Sequence, residues 1–73
     1  MQGFYMLYFK QKLKVLRQSK LLSQAELAQK ICASRQTIAK WEIAKQEPSL
    51  KSLKKLCKFF NIRLDELIGT FEE

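Results

Sequence analysis

Ser-Gln-Ala-Glu-Leu-Ala-Gln-Lys-Ile-Cys-Ala-Ser-Arg-Gln-Thr-Ile-Ala-Lys-Trp-Glu-Ile, residues 23–43, contains two helix start signals with very little chain between them. Ser23 followed by Glu26 is a capping box, in which each side chain satisfies a backbone N–H that the first helical turn leaves unpaired. The sequence therefore predicts a helix that begins at Gln24. Ser34 offers a second N-cap, and we expect another helix to follow it directly.

The apolar residues of both helices follow helical spacing. Leu27 and Ile31 are four apart on the first helix, and Ile38 and Trp41 are three apart on the second. Helices joined by so short a turn cannot lie antiparallel, so they cross steeply in a helix-turn-helix arrangement that projects the polar face of the second helix. That outward face carries Arg35, Gln36, Ala39, Lys40 and Ile43.

Three further helices are expected around this pair. Apolar spacing predicts a first helix over residues 9–19, and Ser49 caps a fourth over residues 50–60. A short fifth helix over residues 64–68 ends at Gly69. The sequence thus predicts an all-α, compact five-helix domain with no strands.

Length and charge restrict what such a chain does. Seventy-three residues make one domain, and so short a chain leaves no room for a deep catalytic pocket. All 14 Lys and Arg but only three acids precede residue 65, so residues 1–64 carry +11 (14 minus 3) within a total of +7. This charge favours a polyanionic partner, most commonly nucleic acid. The alternative is that the lysines only solvate the helix surfaces.

Composition argues against several other functions. Two cysteines and no histidine do not provide the four ligands of a zinc site, so we expect no metal and no cofactor. The sequence lacks a nucleophile with a base and a phosphate-binding glycine loop, so we do not expect an enzyme. We also see no signal peptide and no transmembrane stretch, and we therefore expect a cytoplasmic protein with reduced thiols.

Four motifs in register carry a resemblance to a known family: Leu-Ser-Gln-Ala-Glu-Leu-Ala, Ser-Arg-Gln-Thr-Ile-Ala-Lys-Trp-Glu, Glu-Pro-Ser-Leu and Leu-Asp-Glu-Leu-Ile. With them the chain resembles the lambda-repressor-like helix-turn-helix domain, in the Xre/Cro family of transcriptional regulators. The resemblance implies a five-helix domain that binds double-stranded operator DNA through its third helix, usually as a homodimer.

The family's functional positions can be carried over residue by residue. Arg35, Gln36 and Lys40 match the positions of the third helix that contact bases. Arginine can bind guanine O6 and N7 with two hydrogen bonds, and glutamine can pair with adenine N6 and N7. The residues expected at backbone phosphates are Gln24, Thr37 and, in the loop after the third helix, Lys45.

Two further features are interpreted as structural. Arg17 and Glu42 match a family salt bridge that joins the first helix to the third. Trp41 shares the inward face with Ile38, so we expect it in the core and not stacked on a base.

Three positions depart from the family pattern, which usually has glycine there. Cys32, Ala44 and Asn61 each fall near a helix C-terminus, where a positive φ is often needed. Asparagine tolerates that conformation, whereas the other two residues would be strained by roughly 1–2 kcal/mol.

The ends of the chain are assigned with less support from the family. Residues 1–8 have no family counterpart, and we favour an ordered, extended arm ahead of a helix-turn-helix domain at residues 9–69 and an acidic tail at residues 70–73. The arm could instead fold back on the core, or be partly an artefact if Met6 is the natural start. Dimer contacts are expected at Leu67, Ile68 and Phe71, with the arm as a second contributor.

The sequence thus predicts a sequence-specific DNA-binding regulator that acts as a repressor. An antitoxin-type protein-interaction module with autoregulatory DNA binding is the main alternative. Binding to an anionic membrane through the basic helices and the aromatic arm is a third hypothesis.

Overall fold

The computed structural model describes residues 4–69, and within them the chain forms helices joined by turns, without a strand. The helices are α1 (Tyr5–Ser19), α2 (Gln24–Lys30), α3 (Arg35–Glu42), α4 (Leu50–Phe60) and α5 (Leu64–Ile68). The predicted all-α fold is confirmed, and helices α2 to α5 begin at the predicted residues.

Serine caps fix where three of these helices start. Ser23 Oγ accepts a hydrogen bond from the Glu26 backbone N–H at 3.0 Å, and the Ser23 N–H donates to Glu26 Oε1 at 2.8 Å. Ser34 and Ser49 cap α3 and α4 in the same way, each with its Oγ on the backbone N–H three residues later. The bond from Ser23 N–H holds the pKa of Glu26 below its ordinary value. The stabilisation by this carboxylate is therefore present above its ordinary pKa and is lost as the pH falls through the lowered one.

Helix α1 begins at Tyr5, so the prediction of a start at residue 9 is wrong. The predicted extended arm at residues 1–8 is accordingly wrong from its fifth residue onward, and its first three residues lie outside the described part. Met6 is buried and continues the inward stripe of Phe9 and Leu13 back toward the chain start. Burial of this side chain extends the helix by one turn.

Helix α5 packs on α1 and places Leu67 in the core. Leu67 is completely buried, so its assignment as a dimer contact is wrong: it has no surface to offer a partner. Ile68 is half-buried, and Phe71 lies outside the described residues. Gly69 ends the helix as predicted, with φ at 80°, and its Cα passes so close to Tyr8 that an added Cβ would lie 3.0 Å from the ring.

The core is built around α1, which packs on α3 and α5, while α2 packs on α3 and α4 on α5. Trp41 is 2% exposed and meets Phe9 edge to face, with ring centroids 6.3 Å apart. This confirms that Trp41 is a core residue. The other buried apolar residues are Met6, Leu13, Leu27, Ala28, Ile31, Ile38, Leu53, Leu56, Phe60 and Leu67.

Each of the four connections between helices has one residue in a left-handed conformation, just after the preceding helix ends. The predicted positive φ is confirmed at Cys32 (58°), Ala44 (57°) and Asn61 (55°), and Leu21 (58°) is a fourth such position, which was not predicted. At Ala44 this geometry lets the Lys45 N–H donate to the Lys40 carbonyl at 2.8 Å, which closes the end of α3.

Ala44→Gly is expected to stabilise the protein by roughly 1 kcal/mol, because glycine removes the left-handed penalty of a Cβ. Urea unfolding followed by circular dichroism would measure the change. The matched control is Ala39→Gly in the interior of α3, which should lose about 1 kcal/mol. Destabilisation by both substitutions would contradict the strain assigned to Ala44.

Candidate nucleic-acid interface

The outward face of α3 holds the three residues predicted to contact bases. Arg35, Gln36 and Lys40 are all exposed, while Ile38 and Trp41 on the opposite side are buried. The structure therefore brings the three polar side chains together on one solvent-facing side of one helix. Each keeps its hydrogen-bonding groups available to a ligand.

Thr37 lies beside this face and is half-buried. Its hydroxyl is 2.8 Å from Ser34 Oγ, and its backbone N–H donates to the same oxygen at 3.1 Å. A hydroxyl offers one donor and two acceptor sites, so Thr37 can still reach a phosphate group while it is held by Ser34.

Gln24 stands at the first position of α2 and points toward α3. Its Nε2 donates to Glu42 Oε1 at 3.1 Å. A side-chain amide carries two N–H donors, so this bond fixes the orientation of Gln24 and leaves one donor free. No local sequence pattern indicates that Gln24 and Glu42 touch.

Arg17 and Glu42 form the predicted salt bridge, and it has two hydrogen bonds. Arg17 Nε is 2.7 Å from Glu42 Oε2, and Arg17 Nη2 is 3.1 Å from Glu42 Oε1. Arg17 Nη1 also donates to the Leu22 carbonyl at 2.7 Å. The hydrogen bonds to Glu42 raise the pKa of Arg17, against the opposing effect of burial.

Because the two side chains are only 11% and 4% exposed, this ion pair is shielded from water. With Gln24 on the same carboxylate, Glu42 joins α1, α2 and α3. These bonds hold the inner side of α3 against α1 and α2, and they thereby fix the orientation of its exposed face.

The loop after α3 carries Lys45, which is exposed. A hydrogen bond of 2.7 Å from Tyr5 Oη to Glu47 Oε1 ties this loop to the first turn of α1. Burial, followed by this bond to a carboxylate, raises the pKa of Tyr5 to about 12, so the phenol remains a hydrogen-bond donor further into the alkaline range than an ordinary tyrosine does. No sequence pattern signals a contact between residues so far apart.

A metal site and a membrane-spanning helix are both absent from the described part of the chain. Residues 4–69 hold no group of three or more His, Cys, Asp and Glu side chains that could coordinate a metal ion. The helices described are also too short or too polar for any of them to cross a bilayer.

Comparison with known proteins places this arrangement in a family. A family model described as Helix-turn-helix matches residues 13–67, more than half of the chain. The chain belongs to the helix-turn-helix family. The predicted resemblance is thus confirmed.

Curated helix-turn-helix relatives are named as transcriptional regulators. The chain is 45% identical over 61 residues to the transcriptional activator BcrR of Enterococcus faecalis, with 84% of this chain and 30% of that protein covered. It is 43% identical over 58 residues to a regulator of Methanocaldococcus jannaschii, with 80% and 88% covered. It is 33% identical over 64 residues to the CTXphi transcriptional repressor RstR of Vibrio cholerae, with 88% and 58% covered. The chain therefore spans less than a third of the activator and most of the archaeal protein.

A solved helix-turn-helix structure has the same fold. The SOS-response transcriptional repressor LexA from Eubacterium rectale superposes with a TM-score of 0.84, covering 100% of this chain and 82% of that one. Since the two sequences are 22% identical, the likeness establishes the fold alone.

Proposed function

We propose that this protein is a sequence-specific DNA-binding transcriptional regulator that reads the major groove with α3. The observation that carries the proposal is the exposed group of Arg35, Gln36 and Lys40 on a helix whose inner side is anchored by the ion pair of Arg17 and Glu42. A rigid helix with a row of free donors and acceptors suits the groove, which is wide enough to admit it.

Each of the three side chains has a defined role in this proposal. Arg35 binds guanine through O6 and N7, and Gln36 pairs with adenine through N6 and N7. Lys40, one turn further along the helix, serves either guanine or a phosphate.

Phosphate contacts supply most of the affinity. Gln24, held by Glu42, presents its free N–H at the start of α2. Thr37 lies beside the base-reading residues on α3, and Lys45 is exposed in the loop that follows. Together with the +11 carried by residues 1–64, these contacts release counterions from the duplex.

The proposed regulator binds as a homodimer, acts as a repressor and works in the cytoplasm. One recognition helix reads about 4–5 base pairs, too few to select a site among roughly 10⁶ or more competitors. Two copies with half-sites about 34 Å apart resolve this. Repression is favoured by the relative RstR of Vibrio cholerae, which is named as a transcriptional repressor.

Arg35→Ala is expected to weaken specific binding by about 1–3 kcal/mol and to relax the preference at one base pair in each half-site. The side chain is exposed, so folding stability should change by less than about 0.5 kcal/mol. Selection of binding sites from a random library would identify the operator. Fluorescence anisotropy with that operator would then measure the loss of binding free energy.

Lys45→Ala is the matched control for a phosphate contact. It should weaken specific and random DNA equally and make the dependence of log K on log salt shallower by about one unit per subunit. If both substitutions reduced specific and random binding alike, α3 would not be the element that reads the sequence.

A further inference from the structure

Helix α1 is apolar on two opposite faces, although only one of them meets the core. The outward side chains are Phe4 (83% exposed), Leu7 (60%), Tyr8 (41%) and Val15 (59%). At about 100° per residue they fall, with Gln11, in one strip about 100° wide that points away from the buried Met6, Phe9 and Leu13. We name Phe4, Leu7, Tyr8, Gln11 and Val15 the outer stripe. A helix that is hydrophobic all round is normally covered on both sides.

The outer stripe is large enough to matter energetically. From the exposed fractions of its four apolar members it presents on the order of 400 Å² of apolar surface, a size that on monomeric proteins usually marks an interaction site. If the outer stripes of two copies packed on each other, the apolar area buried would be twice that of one stripe. With a rim of neighbouring polar residues the contact would then approach the roughly 1,200–2,000 Å² of a specific interface.

Charge indicates which partner fits. The chain carries +7, and residues 1–64 carry +11, so two copies repel each other across most surfaces. The five members of the outer stripe are uncharged, and they neither require an acidic partner nor exclude a second copy. Juxtaposed like charges are costly in an interface, so the uncharged stripe is where identical basic chains meet at least cost.

We propose that the outer stripe of α1 is the dimer interface, packed antiparallel on the outer stripe of a second copy about a two-fold axis at Gln11. Such an interface is isologous, so each residue meets the one equally distant from the axis. Leu7 then faces Val15 of the second copy, and the two Gln11 amides meet on the axis, where each can donate to and accept from the other.

This inference deepens the dimer of the proposed function and replaces the contact first expected at Leu67. Its test is made without DNA, so that its failure leaves the assignment of α3 untouched. The full chain would be examined by sedimentation equilibrium as wild type, Leu7→Lys and Val15→Lys. The matched control is Leu21→Lys, at a leucine that is 90% exposed and outside the stripe.

We expect the wild type to dimerise with increasing concentration, and both stripe variants to raise the dimer dissociation constant by at least about tenfold. Leu21→Lys should match the wild type. In a Cys32→Ser background, Gln11→Cys should form a disulfide-linked dimer under mild oxidation, whereas Gln46→Cys in the exposed loop should not. The Leu7→Lys variant should keep the helical circular dichroism spectrum of the wild type and a cooperative urea transition, which shows that it folds.

Three outcomes would overturn the interface. One is a wild type that stays monomeric at every concentration. Another is a loss of association in Leu21→Lys equal to that in Leu7→Lys. The last is a monomeric wild type that sediments with anionic phospholipid vesicles and loses this binding in Leu7→Lys, which would assign the stripe to a membrane surface.

Discussion

Glu42→Ala should lower the free energy of unfolding by about 3–5 kcal/mol, because it leaves the Arg17 guanidinium charged in a site that is only 11% exposed. The same substitution removes the acceptor of Gln24. For a domain of this size such a loss is a large share of the total stability. Urea unfolding monitored by circular dichroism would measure it.

The chain contains a matched exposed pair for comparison. Arg63 Nη2 lies 3.0 Å from Asp65 Oδ2, with side chains 78% and 50% exposed. Asp65→Ala should therefore cost less than about 1 kcal/mol, since water screens this pair. Equal losses from Glu42→Ala and Asp65→Ala would show that burial does not make the Arg17 pair special.

Trp41→Ala is the second substitution with a large expected effect, a loss of about 3–5 kcal/mol from a cavity in the centre of the core. Trp41 is 2% exposed, and its ring packs against Phe9. Circular dichroism is the appropriate probe, because the variant lacks the tryptophan whose fluorescence would otherwise report unfolding.

Trp41→Phe tests the contribution of the aromatic ring separately from that of the indole N–H. Among residues 4–69 the buried indole N–H finds no hydrogen-bond acceptor, and an unsatisfied donor of this kind is itself unfavourable by about 1–3 kcal/mol. Phenylalanine removes that donor and keeps an aromatic ring, so its net cost should stay below about 2 kcal/mol. A loss as great as that of Trp41→Ala would mean that the indole N–H has a stabilising partner.

The parts of the fold that local chemistry encodes could be predicted from the sequence. Ser23 with Glu26 predicted the start of α2, and Gly69 the end of α5, because caps act within a few residues. The positive φ at Ala44, by contrast, was predicted from the family resemblance, because the family usually has glycine there and alanine itself carries no signal for it. Leu21 carried no such signal, since its conformation follows from how α1 must turn into α2.

Two other predictions were wrong because the spacing of apolar residues is ambiguous at those places. The start of α1 was misplaced because Phe4, Leu7 and Tyr8 are as apolar as Met6, and a helix that is apolar on both faces shows no stripe. Leu67 was misassigned because a helix of five residues is too short to define its inner face.

The features of the candidate site also differ in whether they could be predicted from the sequence. The pair of Arg17 and Glu42 came from a family resemblance and not from local pattern. The bonds of Gln24 to Glu42 and of Tyr5 to Glu47 join separate elements, and single-sequence reasoning has no means of finding them. The exposure of Arg35 and Gln36, by contrast, followed directly from helical spacing.

The packing of α5 on α1 also determines when the protein can fold during synthesis. Phe9 and Leu13 emerge early from the ribosome, but the core they share with Leu67 is completed only after the fifth helix has left the exit tunnel. Until then these side chains lack part of their cover, and α2 and α3 can pair only locally. Folding should therefore wait until α5 has emerged, and a nascent chain stalled before residue 64 should remain a substrate for chaperones.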